Sequence, residues 1–530
     1  MKKNLYIIGA TVFSLLLSGC DKDFLDREPS GSFITPEQLA EAAKKDPSLL
    51  NGNIAGLYST MYNTGTGGTN LNHDDFGQKS WDIYMDMLSS DMVLANVTYG
   101  WYSGIAGYQD TKDYTQQENY MPWRYYYRII FGANTVIDAL GGTDAVLGED
   151  QTQQRHVMGQ AKAMRAYAYF YLSQLFSKGY GTGAEKTIPI YTNTQVPNQP
   201  KATSAEVYNL IVDDLTEAID YLEDFNRTSK DQVDATVAKG LLAYTLSARG
   251  TQADLQQVVQ LTNDVITTGG YRIVNENELY AKIDPTTGRV TNPEAGFNDA
   301  SNPSWMWGVD LTLANDLDLV SWWGVMDVFT YSYAWAGDPK TIDVGLYNAI
   351  RNDDLRKNQF DPIGGGLESK YAADGYVAGD FDLMPLNKFF DPNRVIGGQR
   401  QVVTDYLYMR LEEMILLNAE ANARLGKAGD AKAALKTIMS KRIQPATYAS
   451  YETYLDGLSG PALLNEIILQ TRIELWGEGK AYLAVKRNKL TVTRGSNHLY
   501  SPGQSFPYDD DGLTLEIPQA EVLNNPVLND

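Results

Sequence analysis

Side chains that could carry catalysis are few in this sequence of 530 residues. It contains one cysteine, Cys20, and three histidines, His73, His156 and His498. None of them lies in an H-E-x-x-H zinc motif, and the chain has no G-x-S-x-G elbow, phosphate-binding G-x-x-x-x-G-K-[ST] loop or Rossmann glycine fingerprint. The sequence therefore gives little support to nucleophilic, zinc or nucleotide chemistry, and we expect no cofactor.

Adjacent carboxylates are the remaining catalytic candidates. Glu412-Glu413 and Asp353-Asp354 could serve a glycoside hydrolase, but acidic chains contain such pairs by default and the separation that matters is spatial. Aligning Asp509-Asp510-Asp511-Gly512 with an EF-hand puts Pro507 and Pro518 at ligand positions, which favours a solvated acidic turn over a looser calcium site. We predict no catalytic residue and no metal ligand.

Aromatic residues give the stronger functional signal, because the chain has 35 tyrosines and nine tryptophans. Sugar rings present apolar C–H faces that stack on Trp and Tyr, while polar side chains bond the hydroxyls. Two aromatic groups lie among glycines and turn residues, one at 99–108 and one at 305–335, and loops on a rigid scaffold usually carry binding. The predicted ligand-binding residues are Trp101, Tyr102, Trp322, Trp323 and Tyr331.

Core packing is the competing explanation for these aromatic residues. Trp305 and Trp307 alternate around Met306, the pattern of a half-buried strand, so we interpret both as core residues. Trp322 and Trp323 are adjacent, and in an extended segment one of them would face outward. That pair therefore provides the first candidate for a sugar platform, followed by Trp101 and Tyr102.

The only cysteine lies in "LLLSGCDKDF", after a basic start and a thirteen-residue apolar run, Leu5 to Leu17, that is too short to span a membrane. Leu17-Ser18-Gly19-Cys20 resembles the bacterial lipobox, where cleavage before the cysteine exposes it for acylation. We therefore predict a signal peptide at 1–19, lipidation at Cys20 and a tether at 20–32. An ordinary signal peptide with a chance cysteine and a short N-terminal helix are the alternatives.

The formal charge of −22 limits the partners. No basic stripe is available to exchange for phosphate counterions, so nucleic acid is excluded as a partner, and direct attraction to anionic lipid is disfavoured as well. Neutral or cationic ligands fit this balance.

The elements that must position the loops are helices. The span 121–140 places Trp123, Tyr127, Ile130 and Ile137 on one face with Asn134, which we interpret as a buried amide bonded to a neighbouring loop. Further helices are predicted from periodicity at 157–175, from a capping box at Thr203 and Glu206, from Asp234 to Gly250, and from Tyr406 to Leu425.

These helices form hairpins, and "NAEANARLGKAGDAKAAL" has the small-residue pattern of a tetratricopeptide repeat, although the period is not kept. Glycine, proline, asparagine and aspartate interrupt the chain at about 270–400, where helical periodicity fails. We predict a single domain at 33–530, with a helical scaffold at about 33–270 and 400–530 and a loop-rich, ligand-facing insertion between them.

Several blocks in order along the chain carry a family resemblance: "FLDREPSG", "WRYYYRIIFGANTVID", "AKAMRAYAYFYLSQLF", "VYNLIVDDLTEAI", "DDLR", "YMRLEEMILLNAEANARLG", "RIELWGEGKAYLAVKR" and "EIPQAEVLNNPVLND". With them the sequence resembles the SusD/RagB family of bacterial outer-membrane lipoproteins. Lys480 stands where the family often has arginine, and Ala484 stands near a family aspartate. Both departures look structural.

The resemblance implies an all-α, SusD-like fold of four tetratricopeptide-like helix pairs with an insertion that carries short strands. It also implies a non-catalytic, surface-exposed protein that binds oligosaccharide or polysaccharide and passes it to a SusC-like TonB-dependent transporter. Acylated Cys20 would hold it in the outer membrane, facing the exterior. A peptide-capturing member of the family, a glycoside hydrolase and a purely structural partner of the transporter remain alternatives.

Overall fold

Helices are the predominant regular elements of the structure, which is a computed structural model of the chain. It describes residues 36–70, 72–284 and 286–529. The predicted signal peptide, the lipidation site Cys20 and the predicted tether at 20–32 lie outside the described residues. The all-α prediction is confirmed, because helices provide the long elements and strands only short pairs.

Eighteen α-helices are present in the described part of the chain. Those before the insertion are α1 (Pro36–Ala43), α2 (Asn51–Thr60), α3 (Gln78–Leu88), α4 (Ser103–Ala106), α5 (Gln117–Ala139), α6 (Thr152–Leu175), α7 (Ser204–Tyr221), α8 (Ala235–Arg249) and α9 (Gln252–Thr268). Those that follow are α10 (Glu276–Leu279), α11 (Trp323–Met326), α12 (Val344–Ala349), α13 (Leu411–Arg424), α14 (Ala428–Met439), α15 (Tyr448–Gly457), α16 (Gly460–Glu474), α17 (Ala481–Arg487) and α18 (Gln519–Asn524). Short 3-10 turns occur at Pro47–Leu50, Leu313–Asn315, Leu355–Gln359, Leu367–Asp374 and Asp511–Leu513.

The strands form four separate antiparallel pairs. The pairs are β1 (Met92–Leu94) with β5 (Lys340–Ile342), β2 (Lys186–Pro189) with β3 (Lys201–Thr203), β4 (Trp305–Val309) with β6 (Tyr406–Arg410), and β7 (Thr491–Thr493) with β8 (Ser505–Pro507). Strand β4 carries Trp305 and Trp307, and both are buried, which confirms them as core residues. The pairs β1/β5 and β4/β6 each join the insertion to a distant part of the helical scaffold.

The long helices pack in chain order. Helices α5 to α9 each contact the next one, and α9 then packs on α13 across the insertion, while α13 contacts α14 and α16. Small residues allow this approach: a Cβ atom added to Gly159 in α6 would lie 2.8 Å from Leu222. Between α9 and α13 the longest α-helix has six residues, so the insertion is built from turns on a rigid helical layer. The tetratricopeptide-like pairing stays a prediction.

Local signals fix several helix ends as expected. Thr203 and Glu206 form the predicted capping box at α7. Asp234 accepts a hydrogen bond from the Val237 amide, and α8 ends at Gly250 with a left-handed φ of 70°. Asn134 is buried and donates to the Tyr191 carbonyl at 2.9 Å, which confirms its prediction as a structural amide.

The helix predicted from Tyr406 is wrong at its start. Residues Tyr406–Arg410 form β6, and α13 begins at Leu411. The side chain of Glu413 accepts a hydrogen bond from the Arg410 amide at 2.8 Å, which sets the first turn. Tyr406 and Tyr408 suit a strand, and pairing with β4 decides the conformation of these residues.

A buried ion network joins the insertion to the C-terminal helices. The Glu474 carboxylate, at the end of α16, contacts Arg410 at 2.8 Å, Arg442 at 2.8 Å and Arg356 at 3.1 Å. All four side chains are buried. Burial alone would raise the pKa of Glu474, but the three guanidinium groups overcome it and hold that pKa well below its usual range. The network fixes the "DDLR" turn, β6 and α16 relative to one another.

Candidate ligand-binding site

Three segments that are distant in sequence, around residue 73, at 99–101 and at 331–335, contribute six ring side chains, which form two contacting sets linked through the segment 331–335. We call this group the aromatic platform, and it comprises His73, Tyr99, Trp101, Tyr331, Tyr333 and Trp335. The Trp101 indole stacks on the His73 imidazole with centroids 5.3 Å apart and planes 12° apart. Tyr333 packs edge-on against Tyr99 at 5.2 Å and against Trp101 at 6.2 Å. Tyr99 is 62% exposed and Trp335 is 37% exposed, so apolar ring surface is available to a ligand.

One carboxylate fixes the Tyr99 side of the platform. Buried Asp338 accepts the Thr98 amide and, at 2.9 Å, the Tyr99 amide. The Ala95 amide donates to the Pro339 carbonyl at 3.1 Å, which continues the β1/β5 pairing into the loop. The segment before Trp101 is therefore held against the segment that carries Tyr333.

The Tyr331 side of the platform has its own support. The Tyr331 and Trp335 rings lie 5.3 Å apart at 45°, and the Arg400 guanidinium lies 3.9 Å from the Tyr331 centroid. The Tyr331 amide donates to the Gln399 carbonyl at 2.9 Å. Gly397, with a φ of 57°, approaches the indole so closely that an added Cβ would lie 3.2 Å from Trp335.

Polar groups lie at the edges of these rings. His73 Nδ1 and the Tyr333 hydroxyl oxygen are 2.5 Å apart. Burial lowers the pKa of His73, partly opposed by the negative charge of Asp318, so the imidazole is neutral at pH 7. Asp318 is exposed, and its carboxylate can accept hydrogen bonds from a ligand hydroxyl. The platform thus combines uncharged ring faces with hydrogen-bonding edges.

Three of the five predicted ligand-binding residues are buried, which contradicts their prediction as an exposed surface. Trp322 and Trp323 are 2% and 0% exposed and pack edge to face at 4.9 Å. The expectation that one of them faces outward is wrong because Trp323 starts α11, so the segment is not extended. Tyr102 is 2% exposed and takes a left-handed φ of 68°, and its ring packs inward against Tyr84 with centroids 5.7 Å apart. Trp101 and Tyr331 lie in the platform.

Sequence reasoning did not select His73, Tyr99, Tyr333 and Trp335 as ligand-binding residues. "YSYAWAG" carries a usable signal, since Tyr331, Tyr333 and Trp335 recur at every second position. The alternation is not that of a strand, because the segment forms turns and Tyr333 is buried while Trp335 is exposed. His73 has no local signal and joins the platform only through long-range contact.

The carboxylate pairs considered for catalysis are structural. Glu412 is buried and lies 3.2 Å from Arg442, Glu413 accepts the Tyr244 hydroxyl at 2.6 Å, and Asp354 lies 2.6 Å from Arg356. Asp353 lies 2.8 Å from Arg351. Within the described ranges no group of three or more His, Cys, Asp or Glu side chains is arranged to hold a metal ion.

One buried carboxyl group beside the platform loop is not paired. Asp110 follows α4 and its Oδ2 has no hydrogen-bond partner among the described residues. Burial and then the negative charge of Glu118 raise the pKa of Asp110 to about 7. A Cβ atom on Gly104 would lie 2.1 Å from the Asp110 carboxylate, so only glycine allows α4 to pack this closely.

Comparisons with known proteins agree with the fold. Residues 41–243 match a SusD-like family model described as starch-binding associating with outer membrane, and residues 348–528 match the SusD family model. A SusD-like protein of Bacteroides ovatus is 26% identical over 52% of this chain and 46% of its own length. SusD-like protein P25 of Formosa agariphila is 27% identical over 31% of this chain and 29% of its own length. The alignments thus span less than half of each relative.

Solved structures extend the likeness over most of the chain. A SusD-like carbohydrate binding protein from Bacteroides vulgatus superposes with a TM-score of 0.69 and 22% identity, covering 90% of this chain and 96% of its own. Surface glycan-binding protein A from Bacteroides thetaiotaomicron in complex with laminarihexaose has a TM-score of 0.65 and 14% identity, covering 91% and 98%. The described helices include none long and apolar enough to cross a membrane.

Proposed function

This chain belongs to the SusD/RagB family, and from that premise we propose that it captures oligosaccharides on the aromatic platform without chemical turnover. The observation that carries the proposal is the Trp101 indole, which stacks on neutral His73 and packs edge-on against Tyr333, with exposed ring surface on Tyr99 and Trp335 in the same platform. A stacked indole offers a flat, immobilised face for the C–H surface of a sugar, while Asp318 and Arg400 can bond its hydroxyls.

Two further observations support binding without catalysis. The carboxylate pairs that could have served a hydrolase are held in ion pairs or hydrogen bonds away from the platform. A protein of the same fold is known in complex with laminarihexaose, which makes a neutral oligosaccharide a reasonable first ligand class.

The proposal includes a place in the cell. One matching family model is described as associating with outer membrane, and Cys20 follows a lipobox-like sequence. We assign Cys20 as the acylated residue that holds the chain on the outer face of the outer membrane, and a SusC-like TonB-dependent transporter as the partner that receives the ligand. Loss of palmitate labelling in Cys20→Ala would support this assignment. Protease treatment of intact cells that leaves the protein uncut would contradict the outward orientation.

The central experiment measures binding of a glycan panel, including laminarihexaose, by isothermal titration calorimetry. Trp101→Ala should weaken the affinity at least tenfold, because the stacking face is removed. Phe131→Ala is the matched control, since Phe131 is 61% exposed on α5, outside the platform, and its loss should change nothing. Chromatography of the incubated glycans should show no products. Unchanged affinity after Trp101→Ala, Tyr331→Ala and Trp335→Ala together would refute the platform.

Peptide capture is the second candidate, and the net charge of −22 favours it for basic peptides. The same titrations with a lysine-rich and a glutamate-rich peptide of equal length test it. Tight binding of the basic peptide alone, with no affinity for any glycan, would replace the glycan proposal.

A further inference from the structure

A cavity of about 600 Å³ lies apart from the aromatic platform, and its volume suits a small ligand. It is lined by the ends of four helices and by the loops at 176–181 and 508–514. Seven cationic and two anionic side chains line it, the reverse of the overall charge balance of the chain. No residue of the platform contributes to this lining.

Helix ends explain part of the positive charge. Arg249, Arg424 and Arg487 lie in the last turns of α8, α13 and α17, where backbone carbonyls carry partial negative charge. Arg249 also pairs with Asp254 at 2.6 Å, and Arg487 pairs with Glu420 at 2.7 Å. These arginines are largely neutralised by the protein itself.

Lys486 lies in the same last turn of α17 as Arg487, but it is not neutralised by a carboxylate of the described residues. Its side chain is buried, and its Nζ donates one hydrogen bond, to the Thr514 hydroxyl at 2.7 Å. Among the described residues Lys486 forms no ion pair, and a buried charge without a counter-ion is costly. Burial and then the positive charge of Lys178, opposed by Asp509, lower the pKa of Lys486 to about 7. A bound anion would supply the missing counter-charge.

Other donors in the cavity are also free to meet a ligand. The side chain of Arg487 is 3% exposed, and its Nη1 has no hydrogen-bond partner in the described structure. Lys186 and Lys489 are exposed and form no ion pair there. The lining carboxylate of Glu185 is turned to its own loop, where it accepts the amides of Thr182 and Gly183. The field within the cavity is therefore positive.

We propose that this cavity binds a saccharide that carries a carboxylate or sulfate group. The anionic group would contact Lys486 and Arg487, and the sugar ring would lie against Tyr180 and Tyr508, whose side chains are partly exposed in the lining. The site goes beyond the proposed function, because it recognises charge where the platform recognises an apolar ring face. The protein would hold an acidic sugar at a second position.

The test titrates glucuronate, glucose and inorganic sulfate separately into the purified protein. We expect glucuronate to bind and glucose not to bind in this cavity. Lys486→Met should weaken glucuronate binding tenfold or more, because it removes the charge and keeps the aliphatic volume. Lys340→Met is the matched control, since Lys340 is also buried and forms no ion pair with the described residues but lies outside the cavity. This variant should bind glucuronate as tightly as the native protein does.

Lys489→Glu keeps the test decisive if Lys486→Met fails to fold, because Lys489 is exposed at the rim and its reversal should weaken binding several-fold. Trp101→Ala should leave glucuronate binding unchanged, which separates this site from the platform. Sulfate binding as tightly as glucuronate would overturn the saccharide assignment in favour of a free oxyanion. The proposed site would be wrong if neither anion binds. It would also be wrong if Lys486→Met and Lys489→Glu both bind glucuronate as tightly as the native protein does.

Discussion

Replacing Asp338 with alanine tests whether one buried carboxylate positions the aromatic platform. Asp338 accepts two backbone amides, from Thr98 and Tyr99, and thereby ties the loop before Trp101 to the loop that carries Tyr333. Hydrogen bonds to a charged group contribute roughly 1.5–3 kcal/mol each, so two correspond to about 3–6 kcal/mol. Because Thr98 and Tyr99 are both exposed, water can replace the carboxylate as acceptor for their amides. We therefore expect a loss at the lower end of this range, about 3 kcal/mol.

That loss should appear as local opening. A decrease of about 3 kcal/mol in opening free energy corresponds to roughly 100-fold faster exchange of the Thr98 and Tyr99 amides. Hydrogen–deuterium exchange followed by mass spectrometry of the peptides that cover 95–101 measures it. Affinity for laminarihexaose should fall several-fold, because Tyr99 and Trp101 lose their fixed position relative to Tyr333.

Asp284→Ala is the matched control for this prediction. Asp284 also accepts two backbone amides, from Thr286 at 2.8 Å and Thr287 at 2.7 Å, but in a turn outside the platform. This substitution should accelerate amide exchange in its own turn. It should leave the amide exchange of residues 95–101 unchanged, and glycan binding unchanged as well. Native exchange at Thr98 and Tyr99 in Asp338→Ala would refute the positioning role, since those amides would then be held by something else.

Three further predictions concern stability. Glu474→Gln removes the carboxylate shared by three buried arginines and should lower the free energy of unfolding by about 3–5 kcal/mol. For a chain of this size, thermal unfolding should show a Tm lower by about 3–5 °C. An unchanged Tm would contradict this prediction. Trp323→Ala should cost about 3–5 kcal/mol by leaving a cavity, yet glycan affinity measured on the folded fraction should not change. The pKa of Asp110 is raised to about 7, so its stabilising contribution is complete below the unfolded pKa of about 4 and is lost as the pH rises through 7. Asp110→Asn should therefore gain stability relative to the native protein between pH 4 and 8, by up to about 4 kcal/mol, and parallel pH profiles in urea unfolding would refute the shift.

The scaffold was largely predictable because its signals are local. Capping side chains act within three residues, as Thr203 and Glu206 do at α7, and apolar periodicity along α6 requires no knowledge of distant residues. The error at Tyr406 arose where pairing with a strand about a hundred residues earlier outweighed a helical pattern. Local propensity decides an element only when no long-range partner competes for its backbone.

The platform was less predictable, because adjacent aromatic residues with equal sequence signals have opposite fates. A left-handed turn buries Tyr102 while its neighbour Trp101 stays at the surface, and the short helix α11 buries both Trp322 and Trp323. Sequence spacing cannot show which ring a turn directs inward, because each turn depends on packing with distant residues. The Tyr102 ring packs against Lys340, and the Trp322 ring packs against Phe389.

The sequence by itself determined the helical class, the core role of Trp305 and Trp307, the family resemblance and the absence of familiar catalytic motifs. Each depends on residue order or short-range hydrogen bonding. Only the tertiary structure decided which aromatic side chains form a surface, because Asp338 joins loops 240 residues apart. Only it showed that Lys486 lies buried without a counter-charge, because burial is a property of the whole packed chain and not of the segment that contains the residue.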